Sequence, residues 1–276
     1  MKRFRFLFAL FVAFSAILSC QDELVTTEDD MLLTDMETVS EELLAGIDAM
    51  IDEALFFQSN PLKSASTDAG FLKADCPLIT IEKTGTTQIM TLDFGDGCTG
   101  MDKKIRSGKI IVESVSLENH TFERVKTFDN FMVEGKKVEG IIKKNVLVNR
   151  EEFTRTAAIE EDVSITFPEE KGVLKRKSLL TKEYKLNPEA KGKVMTITSW
   201  GTAEIIRPNG VKLSKQIDES DPLVFNVACH RIVSGTVSFT SDKNQTWSID
   251  YGDGDCDNLA VITKNGESRT INLKNR

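Results

Sequence analysis

The sequence predicts a mainly β fold: an antiparallel, strongly curved meander, rolled into an open barrel or a sandwich, with one N-terminal amphipathic α-helix packed against it. Three observations predict it. From residue 76 onward, apolar and polar residues alternate with period two in runs punctuated by turn signals. Several of these runs are long and carry interior glycines, at Gly108, Gly140, Gly201 and Gly235, where bends or bulges are expected. Only residues 31–57 show the three-and-four spacing of a long helix.

Taken in order, the chain divides into a leader (1–19), an acidic tether (20–30), the helix (31–57), a linker (58–75) and a single β domain (76–276). In the leader, Lys2, Arg3 and Arg5 precede an uncharged apolar run from Phe6 to Leu18, too short to span a membrane comfortably but suited to a secretory signal. The run ends in Ile17-Leu18-Ser19-Cys20, which resembles the lipobox of bacterial lipoproteins. That resemblance implies cleavage before Cys20, lipid on its sulfur and a membrane as partner; several acyl chains on one residue make a stable anchor. Gln21-Asp22-Glu23 and Glu28-Asp29-Asp30 are similar to the acidic tethers of surface-exported Bacteroidetes-type lipoproteins. Outer-membrane attachment facing the cell surface is therefore expected, with the periplasmic face as the alternative.

In residues 31–57, Leu32, Met36, Val39, Leu43, Ile47, Met50 and Ala54 form an apolar stripe, and Asp35, Glu37, Glu41 and Asp48 occupy the other face. The expectation is a helix that covers one hydrophobic surface and turns its acids outward. The linker is assigned on its loop-like composition.

Four cysteines remain once Cys20 is set aside. Cys76 precedes a strand, a turn at Thr84-Gly85-Thr86, a second strand, and Gly95-Asp96-Gly97-Cys98. Cys229 precedes the same series, ending in Gly252-Asp253-Gly254-Asp255-Cys256. Folding each hairpin at its turn brings the second cysteine back to the first, so Cys76–Cys98 and Cys229–Cys256 are expected, in keeping with an oxidising compartment. The paired units, 76–98 and 229–256, resemble those of a group of Bacteroidetes-type bacterial lipoproteins with Cys-strand-turn-strand-D[FY]GDG-Cys at each end; the resemblance implies no activity.

Between the units the alternation is clearest at 153–167. Phe153, Ala157, Ile159, Val163, Ile165 and Phe167 share one parity, with an interruption expected near Glu160-Glu161-Asp162. Leu174, Leu180, Tyr184 and Leu186 repeat the pattern, as do Met195, Ile197, Ala203 and Ile205.

Function is less legible. With 35 Lys+Arg against 43 Asp+Glu the formal charge is −8, and no nucleic-acid partner is expected. Two histidines leave little for metal sites or acid–base chemistry, and no cofactor is expected. Gly95-Asp96-Gly97-Cys98-Thr99-Gly100 matches GxGxxG, but a strand-like segment follows where a dinucleotide site needs a helix. Asp253, Asp255 and Asp257 open like a calcium loop, yet Asn258 and Lys264 stand where glycine and glutamate belong. Trp200 has polar parity partners and is the candidate stacking residue for a glycan or anchor for a protein, unless a bulge at Gly201 turns it inward. The expectation is a non-enzymatic binding or structural module. A carrier of an apolar ligand, or a hydrolase with a dispersed site, is the alternative.

Overall fold

The computed structural model describes residues 28–59, 71–72, 75–189 and 193–273. The leader, Cys20, the tether as far as residue 27 and most of the 58–75 segment lie outside the described residues.

Among the described residues, one helix, α1 (Glu28–Ser59), precedes fifteen strands. The first five are β1 (Leu78–Thr84), β2 (Thr87–Asp93), β3 (Cys98–Thr99), β4 (Ile105–Ser116) and β5 (Thr121–Val133). The long central strands are β6 (Lys136–Asn149), β7 (Thr154–Phe167), β8 (Gly172–Asn187) and β9 (Lys193–Ile206). Then follow β10 (Lys212–Ile217), β11 (Leu223–Asn226), β12 (Arg231–Ser241), β13 (Thr246–Asp253), β14 (Leu259–Lys264) and β15 (Glu267–Asn272). All belong to one antiparallel sheet whose main path runs from β1 to β15 nearly in chain order. The strands β10 and β11 share one place, since both pair with β9 and β12. The end strands β1 and β15 do not pair with each other, so the expected open form holds and the barrel is not closed.

The sheet curls around α1. From Asp35 to Phe57 no side chain of the helix is fully exposed. This corrects the outward acidic face: Glu37, Asp48 and Asp52 are 4%, 2% and 5% exposed. Their spacing places Glu37, Glu41, Asp48 and Asp52 within about 60° on the helical wheel, and that stripe faces the concave side of the sheet. Glu28, Asp29 and Asp30, read as tether, belong to the first turn of α1.

Three smaller readings also change. The strand β7 runs without interruption, with Glu161 on its inward parity, and Phe153 lies before it in a left-handed turn (φ 52°), 42% exposed. In β9 the pairing with β8 shifts near Leu186, so Val194 faces the core in place of Met195. The linker ends in Phe71 and Leu72, both buried; the Phe71 amide donates to Glu53 Oε2 at 2.7 Å.

Two interior glycines show why such a sheet can curl. Gly140 (φ +119°) and Gly201 (φ +127°) adopt backbone angles that L side chains rarely take. A Cβ on Gly140 would lie 2.1 Å from Asp162 O, and one on Gly201 would lie 2.4 Å from Leu179 O. Glycine kinks of this kind bend long strands sharply.

Both expected cysteine pairs are joined, with Cα separations of 5.9 Å for Cys76–Cys98 and 6.2 Å for Cys229–Cys256.

Candidate functional site

Strand pairing turns the alternation into rows of side chains on each face. On the inner face, several strands carry a cation among their apolar residues. Arg176 and Lys182 alternate with Leu174, Leu180 and Tyr184 on β8, Lys144 lies between Ile142 and Val146 on β6, and Lys215 lies between Leu213 and Ile217 on β10. Burying a lone ammonium is prohibitive, so each needs a carboxylate. The helix supplies most of them.

Asp48 accepts from Lys126, from Lys144 at 2.7 Å, from Lys182 at 3.1 Å and from the Tyr184 hydroxyl at 3.2 Å. Asp52 meets Arg155 at 2.8 Å and Arg124 at 3.4 Å. Glu41 takes Arg176 and Lys215, and Glu37 takes Arg207 at 3.3 Å. The sheet adds Glu161, 3.1 Å from Arg176. Cations outnumber carboxylates in this seam. Burial opposes ionisation of Asp48, yet Lys126, Lys144 and Lys182 outweigh it and hold the carboxyl well below its usual range. Glu41 is likewise brought down to about 2 by Arg176 and Lys215 against burial. Burial wins elsewhere: it pushes Glu37 up to about 6, Lys215 down to about 8, and Lys144 well below the usual lysine range. The seam is an anchoring device for the helix: most of its charges pair across helix and sheet, although Arg155 Nε and Nη2, Glu161 Oε2 and Arg207 Nη2 are buried without a hydrogen-bond partner.

The outer face is open. Its middle forms two contiguous depressions of about 660 and 440 Å³ that share Lys143, Glu160 and Leu179. Register defines their floor. One row runs Ile141, Asp162, Lys177, Glu204, Ser214, Thr240 across β6 to β12. The next runs Lys143, Glu160, Leu179, Thr202, Gln216, Ser238. With Glu123 and Val125 on β5 also lining it, the groove crosses seven strand positions, roughly 30 Å at the usual spacing. Leu179 is 65% exposed in its middle. Asp162 and Lys177 pair at 3.1 Å, both well exposed.

Trp200 stands beside this groove. It pairs with Thr181, which lines the groove, and the pairing continues through Gly201 opposite Leu180 without a bulge. The tryptophan therefore keeps its outer parity. It is half-buried, packed against core side chains rather than freely exposed. Trp247 is partly buried, stacked on Phe239 at 5.2 Å, with Arg207 over its ring at 5.0 Å.

A third space, about 420 Å³, lies inside the curl where early and late strands approach one another: Arg106, Phe131 and Lys136 line it from one side, Phe225, His230 and Leu273 from the other. His230 sits in a left-handed conformation (φ 56°) between β11 and β12, its ring 4.4 Å from that of Phe71.

Among the described residues, no helix is long and apolar enough to cross a membrane, and no cluster of His, Cys, Asp or Glu has the arrangement of a metal site. No protein-family model, curated protein or solved structure matches the chain. The class rests on its own geometry: an open antiparallel sheet of fifteen strands, curled round a helix that it grips by buried ion pairs.

Proposed function

We propose that the chain is an outer-membrane lipoprotein, anchored through Cys20 and displayed at the cell surface, that binds an extended glycan along its outer groove without performing chemistry. The carrying observation is the groove itself. Its two central rows combine hydroxyls (Thr202, Ser214, Ser238, Thr240), an amide (Gln216) and carboxylates (Glu160, Asp162, Glu204) around an exposed Leu179, with Trp200 alongside. Sugar rings present alternating hydroxyl and C–H faces, which such a mixture of polar groups and apolar platforms complements. A length near 30 Å suits a polymer better than a single small molecule. The two disulfides support an exported setting. The carrier reading has less support as the main function, because α1 and its ion pairs occupy the middle of the curl and leave only the space of about 420 Å³ beside the helix.

The test uses the chain from residue 21 onward, which keeps every element described above, on a glycan array. The expected result is binding to one class of linear glycan, weakened by Trp200→Ala and by Leu179→Glu. Binding to no glycan, or binding indifferent to both substitutions, would refute the groove reading. Anchoring is tested separately: Cys20→Ala should release the protein from membranes, and a variant that still sediments after a salt wash would refute the lipid anchor. Protease added to intact cells should remove the domain if it faces outward; full protection beside a surface control would place it on the periplasmic face.

A further inference from the structure

The cavity inside the curl has the parts of a ligand site that the outer groove does not use. Its floor is apolar, built from Leu43 and Ile47 of α1 with Phe131, Phe225 and Leu273 of the sheet strands and their ends. Its rim carries Lys104 and Lys136, both half-buried, and neither ammonium enters an ion pair among the described residues. The carboxylates of Glu42, Asp102 and Glu134 line the same cavity and act on these lysines through space, but none comes within ion-pair distance of either ammonium, so both stand beside an apolar pocket without a close counter-ion. Lys136 is held below the usual lysine range by burial, with Lys104 and Lys171 adding to the effect against Glu134. An anion between these cations would relieve that repulsion.

Two more polar atoms lie at the same cavity with no hydrogen-bond partner: Glu42 Oε1 and His230 Nε2, each screened from solvent. Buried polar atoms are ordinarily satisfied, so such atoms at one cavity mark a place where a polar ligand group or water fits. The volume of about 420 Å³ lies within the range of small-ligand pockets.

We propose that this cavity binds a single-chain amphiphilic anion, its acyl chain against Leu43, Ile47, Phe131, Phe225 and Leu273, and its head group on Lys104 and Lys136. Carboxylate and phosphate heads share this chemistry, and the test separates them. The site lies on the opposite face of the sheet from the glycan groove and does not depend on that reading.

The experiment is calorimetric titration of the chain from residue 21 onward with dodecanoate and, separately, with dodecyl phosphate. Dodecyltrimethylammonium and inorganic phosphate are the controls. One saturable site per chain is expected for at least one of the two anions; whichever binds more tightly identifies the head group. The cationic amphiphile and inorganic phosphate should bind far more weakly, since each lacks half of the complement. Lys104→Glu with Lys136→Glu should weaken binding about tenfold or more, the scale of losing a charge-assisted contact. These side chains are half-exposed, so the fold should be retained, and an unchanged thermal midpoint checks it. Gly46→Leu, whose side chain would grow from α1 toward Phe71 (the missing Cβ lies 3.7 Å from that ring), should block the apolar end. Absence of saturable binding by both anions would overturn the proposal. So would equal binding of the cationic amphiphile, or affinity unchanged in the double charge reversal.

Discussion

Replacing Asp48 by Asn tests whether the helix is held by charge. The carboxylate is 2% exposed and meets three ammonium groups, on Lys126, Lys144 and Lys182, exposed by 1%, 4% and 6%. Asparagine keeps the shape but removes the charge, leaving three buried cations without their common counter-ion. Breaking a buried pair from one side costs about 3–5 kcal/mol, mostly through the charge left behind. For a domain of this size, that lowers the melting temperature by about 6–10 °C. The pH dependence gives a second signature. With its partner gone, Lys144, already held well below its usual range by burial, should shed its proton more readily in the folded than in the unfolded state. The unfolded chain then binds more protons, so the stability of the variant rises as pH increases toward the lysine range, and its deficit shrinks. Urea unfolding of the chain from residue 21 onward, followed by circular dichroism at pH 7 and 9.5, measures both. With Cys20 absent and the other four cysteines paired, thiol chemistry does not intrude. Asp162→Asn is the control; its partner Lys177 is 70% exposed, and no measurable loss is expected. A change at Asp48 within about 1 kcal/mol of wild type at pH 7, or a deficit that grows with pH, would refute the reasoning.

Glu37→Gln should behave oppositely and be tolerated at neutral pH. Burial raises Glu37 to about 6, so it favours the folded state most when protonated, and that contribution is lost as pH rises from about 4.5 through 6; the variant should lack this slope in a stability–pH series, and an unaltered slope would assign it elsewhere. Non-reducing peptide mapping should find Cys76 linked only to Cys98 and Cys229 only to Cys256, and either Cys→Ala pair should cost about 3 kcal/mol by loop entropy. A linked peptide crossing between the units would overturn the hairpin register. Gly140→Ala should destabilise by about 1–3 kcal/mol, because its Cβ would strike Asp162 O in a backbone conformation already unfavourable to alanine; a neutral result in urea unfolding would show that the bend relaxes freely.

The fold class was legible because its signals are local. Alternation along β7 and β8, and turns such as Gly85-Thr86 between the paired Thr84 and Thr87, need no knowledge of distant partners. The cysteine pairing was legible for the same reason, since each hairpin carries both of its cysteines. The helix was found by its period, but the direction of its acidic face was misread. That direction depends on what surrounds the helix, and an isolated amphipathic segment says only that its two faces differ. A usable signal was present in the strands: Arg176 and Lys182 share parity with Leu174, Leu180 and Tyr184, and a charge repeatedly set on an apolar face demands a buried partner. The outer groove was beyond reach. Its rows exist only once six strands are placed in register, and Trp200 was the one member of its surroundings visible beforehand.

The order of elements also fixes how the molecule carries a mechanical load. Among the described residues α1 precedes every strand, so a pull from the N-terminal side reaches the helix first. Between Glu37 and Asp52 the helix advances about 22 Å, and its ionic grips are spread along that length on strands from β5 to β10. An axial pull therefore shears these contacts together instead of opening them one after another, as peeling a strand from a sheet edge would. Tension from the N-terminal side is shared across the curl, and the sheet stays clasped around its helix while the chain is held taut.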